Sequence, residues 1–183
     1  MERIVIVGPP GSGKTTVARS ISAALDLPHT ELDALWWDPN WTEAGQDKFI
    51  SRVDPVTKQN RWVVDGNYFD VGAPETIWAR ADTMLWLELP RRVTVTRIVR
   101  RTVIRAITHT ELWSGNRESL RLLFRSDSIV RHAIRAHPVY NQKYAEVQAE
   151  NSQSHLTWIR LSTPRAVRQW VTALRLQSNR PQP

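Results

Sequence analysis

Cysteine is absent from this sequence of 183 residues. Disulfides and thiolate metal sites are thereby excluded, the chain suits a reducing compartment, and a cytoplasmic location is expected. Long apolar runs are absent too. "IVIV", "WVV" and "MLWLEL" are strand-sized, far below the roughly 20 residues that cross a bilayer, and no signal peptide is recognisable, so no membrane partner is expected. The five histidines show no metal-ligand spacing such as H-E-x-x-H, and no structural metal is expected. Lysine is scarce, with four residues against 21 arginines, and glycine is limited to seven. Three of those glycines, Gly8, Gly11 and Gly13, fall within six positions.

The formal charge of +7 is concentrated. Between Arg91 and Arg135 stand eleven arginines, including Arg121 and Arg125, against Glu111, Glu118 and Asp127, while the remainder of the chain is close to neutral. Such a block is either a solvated helix face or a surface that attracts phosphate. Arginine in place of lysine favours the second, because a planar guanidinium holds two phosphate oxygens at once.

The length suits one domain with a real core. Residues 3–7 form a continuous β-branched run, as a strand covered on both faces requires. Residues 14–25 carry Val17, Ile21, Ala24 and Leu25 at helical spacing. A second strand is expected near 29–32, then a helix capped by Thr42, with Glu43 in its first turn, and broken or ended by Pro55. "RWVVDG" reads as strand then turn, and "DTMLWLELP" as strand then stop. Helices are expected over 91–107 and 118–136, split by "SGN" at 114–116. A last strand in "LTWIRLSTP" leads to a helix opened by Pro164 and running to about Leu176. The tail 177–183 should fray. Strands alternating with helices predict a three-layer α/β domain over residues 1–176 with a parallel sheet.

Gly8-Pro9-Pro10-Gly11-Ser12-Gly13-Lys14-Thr15 satisfies G-x-x-x-x-G-K-[ST], placed after a strand and before a helix. Such a P-loop wraps a phosphate with backbone amides, for which side chains are an obstruction, and the following helix aims its positive end at the same phosphate. Gly8, Gly11, Ser12, Gly13, Lys14, Thr15 and neighbouring Thr16 are therefore the candidate nucleotide-binding residues. Lys14 would reach the β- and γ-phosphates of ATP, and Thr15 would ligate Mg²⁺. The absence of N-K-x-D argues against a GTPase.

Two carboxylates fall where an open parallel sheet places its ligands. Asp65 closes an apolar strand and reads either as the acidic partner of Mg²⁺ opposite Thr15 or as an ordinary Asp-Gly turn. Asp33 reads either as the group that orients or deprotonates an acceptor or as a helix N-cap. Asn67 and Tyr68 would line an acceptor pocket. Arg97, Arg101 and Arg105 share a helical face. Arg101 and Arg117 are the candidates to touch phosphate, and His109 falls beside them; Arg97 would stack on the base. Of the nine tryptophans, Trp62, Trp78, Trp86, Trp158 and Trp170 are expected in the core. Trp36, Trp37 and Trp41 leave at least one ring to stack on a ligand.

"GPPGSGKTT", "WVVDGNY" and "RIVRR" together resemble the adenylate-kinase-like small P-loop kinases. "LDALWWDPNW", "WARADTMLWLELPRR" and "ELWSGNRES" are similar, over nearly the whole chain, to the proteins known as DNA topology modulation proteins. The resemblance implies five parallel strands, an acceptor flap at about 31–60, an arginine lid at about 101–125, and ATP with Mg²⁺. It also implies base-stacking by Arg97, phosphate-gripping by Arg101, and a base-flanking loop from Ser162 to Arg165. The arginine that helps seat AMP in adenylate kinases has no counterpart at Asn67-Tyr68-Phe69, which leaves the acceptor open. A phosphotransferase acting on a nucleotide, a sugar or a small hydroxy acid is the expected function. The competing reading is an ATP-hydrolysing regulator that binds nucleic acid through the basic block, for which no nucleic-acid-binding signature occurs.

Overall fold

The computed structural model describes residues 1–117, 129–150 and 154–178. The central strand β1 (Arg3–Val7) is buried beyond its first residue. Its alternation divides the interior in two. Val5 and Val7 face one apolar cluster, Ile4 and Ile6 the other.

The second of these clusters is closed by two helices. Helix α1 (Lys14–Leu25) buries Val17, Ala18 and Ile21. It stops where Asp26 turns left-handed and Leu27 donates its N–H to the Ser22 carbonyl at 3.1 Å. From the far end of the chain Leu174 completes that face.

Strand β2 (His29–Glu31) leads into a short helix α2 (Leu32–Trp36). The expected Thr42 cap does not form. Thr42 and Glu43 are instead strand β4, antiparallel to β3 (Trp37–Asp38), joined by a tight turn with Asn40 and Trp41 at positive φ. Helix α3 (Gln46–Thr57) starts later, behind Gly45, and carries Pro55 in its last turn, so the proline comes two residues before the helix ends.

Strand β5 (Trp62–Asp65) is wholly buried, as is β6 (Thr83–Leu87). Between them lies the four-residue helix α4 (Ala73–Thr76). Helix α5 (Arg91–Ile107) buries Thr94, Ile98, Thr102 and Ala106, a stripe at four-residue spacing.

The next described helix, α6 (Ile129–Glu150), overruns the expected end near 136. Pro138 is exposed and leaves the inner face undisturbed, where Tyr144 is fully buried against Trp78 and Trp86. The expected start of this helix at 118 lies outside the described residues, as do Arg121, Arg125 and the distal part of the lid. Strand β7 (Thr157–Leu161) and helix α7 (Pro164–Ser178) complete the fold, the helix capped by Thr163 Oγ1 on the Ala166 N–H at 3.1 Å. Gln177 and Ser178 are helical rather than frayed, and residues 179–183 lie outside the description.

Among the described residues the main sheet has five strands in the order β2-β5-β1-β6-β7, all parallel. The order steps outward from β1 on both sides, so a switch point sits at the C-terminal end of β1. Among the described residues no helix is long and apolar enough to cross a membrane.

This burial pattern has a direct check. Ile6→Ala removes a wholly buried side chain and should cost about 3 kcal/mol in urea unfolding. Ile107→Ala, at a side chain 65% exposed, should change stability by less than about 0.5 kcal/mol.

Candidate functional site

The loop from Gly8 to Gly13 leaves the C-terminal end of β1 and enters α1 with no side-chain cap on the helix. The first-turn amides are thus left for a ligand. Two of its glycines are also required by the protein itself. A Cβ at Gly8 would stand 2.6 Å from the Leu87 carbonyl, and one at Gly11 would collide with the Thr94 carbonyl and the Ile98 side chain. At both, φ is positive. The loop is therefore pressed against the end of β6 and the first turns of α5. That approach brings Arg97 to the cradle, where its Nη1 donates to the Ser12 carbonyl at 3.0 Å.

Lys14 Nζ donates to the Gly8 carbonyl at 2.8 Å. Burial lowers the pKa of its ammonium, the charges of Asp65 and Asp33 oppose that shift, and Arg101 adds to it. All four groups thus share one electrostatic neighbourhood. Thr15 Oγ1 lies 3.4 Å from Asp65 Oδ1. Asp65 is 4% exposed, and its other oxygen has no hydrogen-bond partner among the described residues. A hard cation that prefers oxygen ligands fits this pair, with one carboxylate and one hydroxyl facing a glycine cradle.

Asp33 is not an N-cap. It lies in the first turn of α2, behind Glu31, and accepts a hydrogen bond from Tyr68 Oη at 2.7 Å. Burial raises its pKa, against the opposing pull of the Tyr68 hydrogen bond and Lys14. Tyr68 holds this position with φ at 32°, an uncommon value for a bulky residue, fixed by contacts with Trp36 and Phe49.

The other sequence candidates are placed unevenly. Ser12 is buried, Thr16 is exposed, and Arg165 is exposed in the first turn of α7. Arg117 is paired with Glu111 at 3.3 Å on an exposed turn. His109 is exposed beyond the end of α5. Arg97, Arg100, Arg101 and Arg105 line an open groove of about 400 Å³. Trp62, Trp78 and Trp86 are core, Trp158 and Trp170 pack at its margin, and of the 36–41 group Trp36 is buried while Trp37 and Trp41 stay half-buried.

Several contacts had no signal in the sequence. His29, one of the five histidines without metal-ligand spacing, has Nε2 at 3.5 Å from Asp65 Oδ2. Asn67 is half-buried, and its Oδ1 accepts from the Gly8 N–H at 3.2 Å and from Tyr144 Oη at 3.0 Å, tying the loop to α6. The segment 111–117 docks on the β3–β4 hairpin. Asn116 bonds the Asp38 carbonyl and the Trp41 N–H, both at 2.9 Å, and Trp113 Nε1 donates to Glu31 Oε2 at 3.2 Å.

Comparison with known proteins agrees with this geometry. The family model for ATPases associated with various cellular activities (AAA) matches residues 4–65, about a third of the chain, spanning the loop and Asp65. No curated protein matches. A gluconokinase from Sinorhizobium meliloti 1021 is similar in structure, with a TM-score of 0.54 at 15% identity over 97% of this chain and 93% of that one. Shikimate kinase from Bacteroides thetaiotaomicron gives 0.56 at 15%, over 96% and 97%. Shikimate kinase from Acinetobacter baumannii in complex with shikimate gives 0.56 at 17%, over 100% and 96%. The narrower likeness to DNA topology modulation proteins finds no support among these matches. The chain has the P-loop nucleoside triphosphatase fold in the form that small kinases take.

Because Asp33 resists ionisation in the folded state, its charge costs stability above its raised pKa and costs nothing once pH falls below the unfolded value of about 3.9. Asp33→Asn should therefore raise the thermal midpoint at pH 7, and calorimetry should show that gain fading on acidification to about pH 4.

Proposed function

We propose that this chain is an ATP- and Mg²⁺-dependent phosphotransferase that moves the γ-phosphoryl group of ATP to a small-molecule acceptor. The observation that carries the reading is the glycine cradle at the C-terminal end of β1, with Lys14 Nζ on the Gly8 carbonyl at 2.8 Å and Thr15 Oγ1 3.4 Å from the buried Asp65.

The residues divide the work by charge. The amides of Gly11 to Thr15 receive the phosphates and Lys14 balances their charge. Mg²⁺ would be held by Thr15 and Asp65 and would neutralise charge on the β- and γ-phosphates. Arg101 adds positive charge beside Lys14, where the transferring group would lie. Asp33 takes the proton of the acceptor hydroxyl, whose oxygen forms the new bond to phosphorus as the bond to the β-phosphate oxygen breaks and ADP leaves with its electron pair. Burial that raises the Asp33 pKa makes its carboxylate a better proton acceptor. Arg97, held on Ser12, flanks the nucleotide, with Arg165 on the other side of the base. Residues 31–60 serve as the acceptor flap, and 101–125 as the lid, of which the part beyond Arg117 lies outside the description.

The nucleic-acid reading is less well supported. Arg97 and Arg101 of the basic block are engaged at the nucleotide cradle, and Arg117 pairs with a carboxylate.

Transfer of ³²P from labelled ATP across nucleoside monophosphates, sugars and hydroxy acids tests the proposal. One acceptor class should become labelled, and Arg101→Ala should slow that transfer about 10²-fold while ATP affinity changes little. Label released only to water, at a rate raised by duplex DNA and by no small acceptor, would overturn it.

A further inference from the structure

Given the kinase reading, we propose that the acceptor is an uncharged, polyhydroxylated ring compound, held between carboxylates and indoles, and not a phosphate- or carboxylate-bearing molecule. Three independent observations converge on it.

The first is the charge of the floor. Glu31 and Asp65 are register partners across β2 and β5, and Asp33 follows in the first turn of α2. Asp65 and Glu31 both disfavour ionisation of Asp33. With Asp65 given to Mg²⁺ and Lys14 to the phosphates, an acceptor bringing its own negative charge would still meet Asp33 and Glu31 in a half-buried place, which is costly.

The second is the state of the flap's cations. Residues 31–60 contain Lys48, Arg52 and Lys58, and each is already in an ion pair. Lys48 and Arg52 both hold Asp38, at 2.6 and 2.7 Å, and Arg52 also donates to the Leu35 carbonyl at 2.8 Å; Lys58 holds Asp54 at 2.6 Å. Beside them Arg19 is bound to Glu31 at 2.6 Å. Lys14 and Arg101 belong to the phosphate side of the site. Seating an anion on the flap would require breaking one of these pairs.

The third is the wall. The segment 111–117 is bolted over the hairpin by Asn116, which is 5% exposed, and by Ser114 Oγ on the Trp37 carbonyl at 2.7 Å. This carries Trp113 to the rim, edge-on to Trp41 at 6.5 Å, and Trp41 is in turn edge-on to Trp37 at 5.6 Å. Half-buried indoles beside carboxylates suit the two surfaces of a sugar-like ring. Its C–H faces lie on the aromatic wall, and its hydroxyls donate to carboxylate oxygens. Tyr68 donates to one oxygen of Asp33 and Trp113 to one of Glu31, which fixes both carboxylates beside the indoles while leaving them lone pairs for such hydroxyls.

The test compares matched pairs under identical conditions with Mg·[γ-³²P]ATP and the full chain: glucose against gluconate, ribose against ribose 5-phosphate, thymidine against thymidine 5′-monophosphate. In at least one pair the neutral member should be labelled with a kcat/KM at least tenfold above its anionic partner. Glu31→Gln should shrink that ratio several-fold; because both members are assayed on the same protein, partial misfolding cannot mimic the change. Preference for the anionic member, no labelled neutral member, or a ratio untouched by Glu31→Gln overturns the proposal. Failure of the chain to bind Mg·ATP at all, read separately by calorimetry, would instead sink the kinase reading beneath it.

Discussion

Two missing side chains hold this site together. Gly8 meets the Leu87 carbonyl and Gly11 meets the backbone of Thr94, so the phosphate loop can lie directly on the end of β6 and the first turns of α5. A β-carbon would force the loop off the end of β6 at Gly8 and off α5 at Gly11. The consequence is electrostatic as well as steric. With the helix that close, Arg97 reaches the Ser12 carbonyl and the charge of Arg101 acts on Lys14. The glycines that make room for a phosphate also make room for the cations that would surround it.

The same neighbourhood is costly to the folded state. Lys14 and Asp33 both carry a desolvation penalty that their mutual attraction offsets only in part. Tyr68 is held at an uncommon backbone angle, and one oxygen of Asp65 is buried without a hydrogen-bond partner among the described residues. Such features persist where surrounding structure over-determines them. Here the surroundings are the buried strands β5 and β6, β1 buried beyond Arg3, and the aromatic contacts of Trp36, Phe49 and Tyr68. A rigid sheet below supports a strained, charged edge above.

Much of this was legible in the residues. Strand β1, the loop and α1 are contiguous, and local pattern alone determines them. Asp65 was legible because a short apolar run delivers it to a sheet edge. What escaped depends on who stands beside whom. His29 approaches Asp65 through the parallel pairing of β2 with β5, which spacing along the chain does not encode. Asn67 acquires its bridging role only when Tyr144 arrives from 77 residues away. Thr42 looked like a cap because threonine favours caps, but the short β3–β4 hairpin claimed it first. The helix expected to end near 136 continues past Pro138 to Glu150, because burial of Tyr144 overrides the local preference. The docking of 111–117 onto the hairpin is likewise a tertiary fact without a motif.

The central claim is that the loop from Gly8 to Thr15 binds a triphosphate through its amides and Lys14. Isothermal titration of the full chain with Mg·ATP tests it directly. Wild type should give a saturable binding heat that weakens by at least about 10²-fold in Lys14→Ala. Equal heats from the two proteins, or none from wild type, would contradict the account.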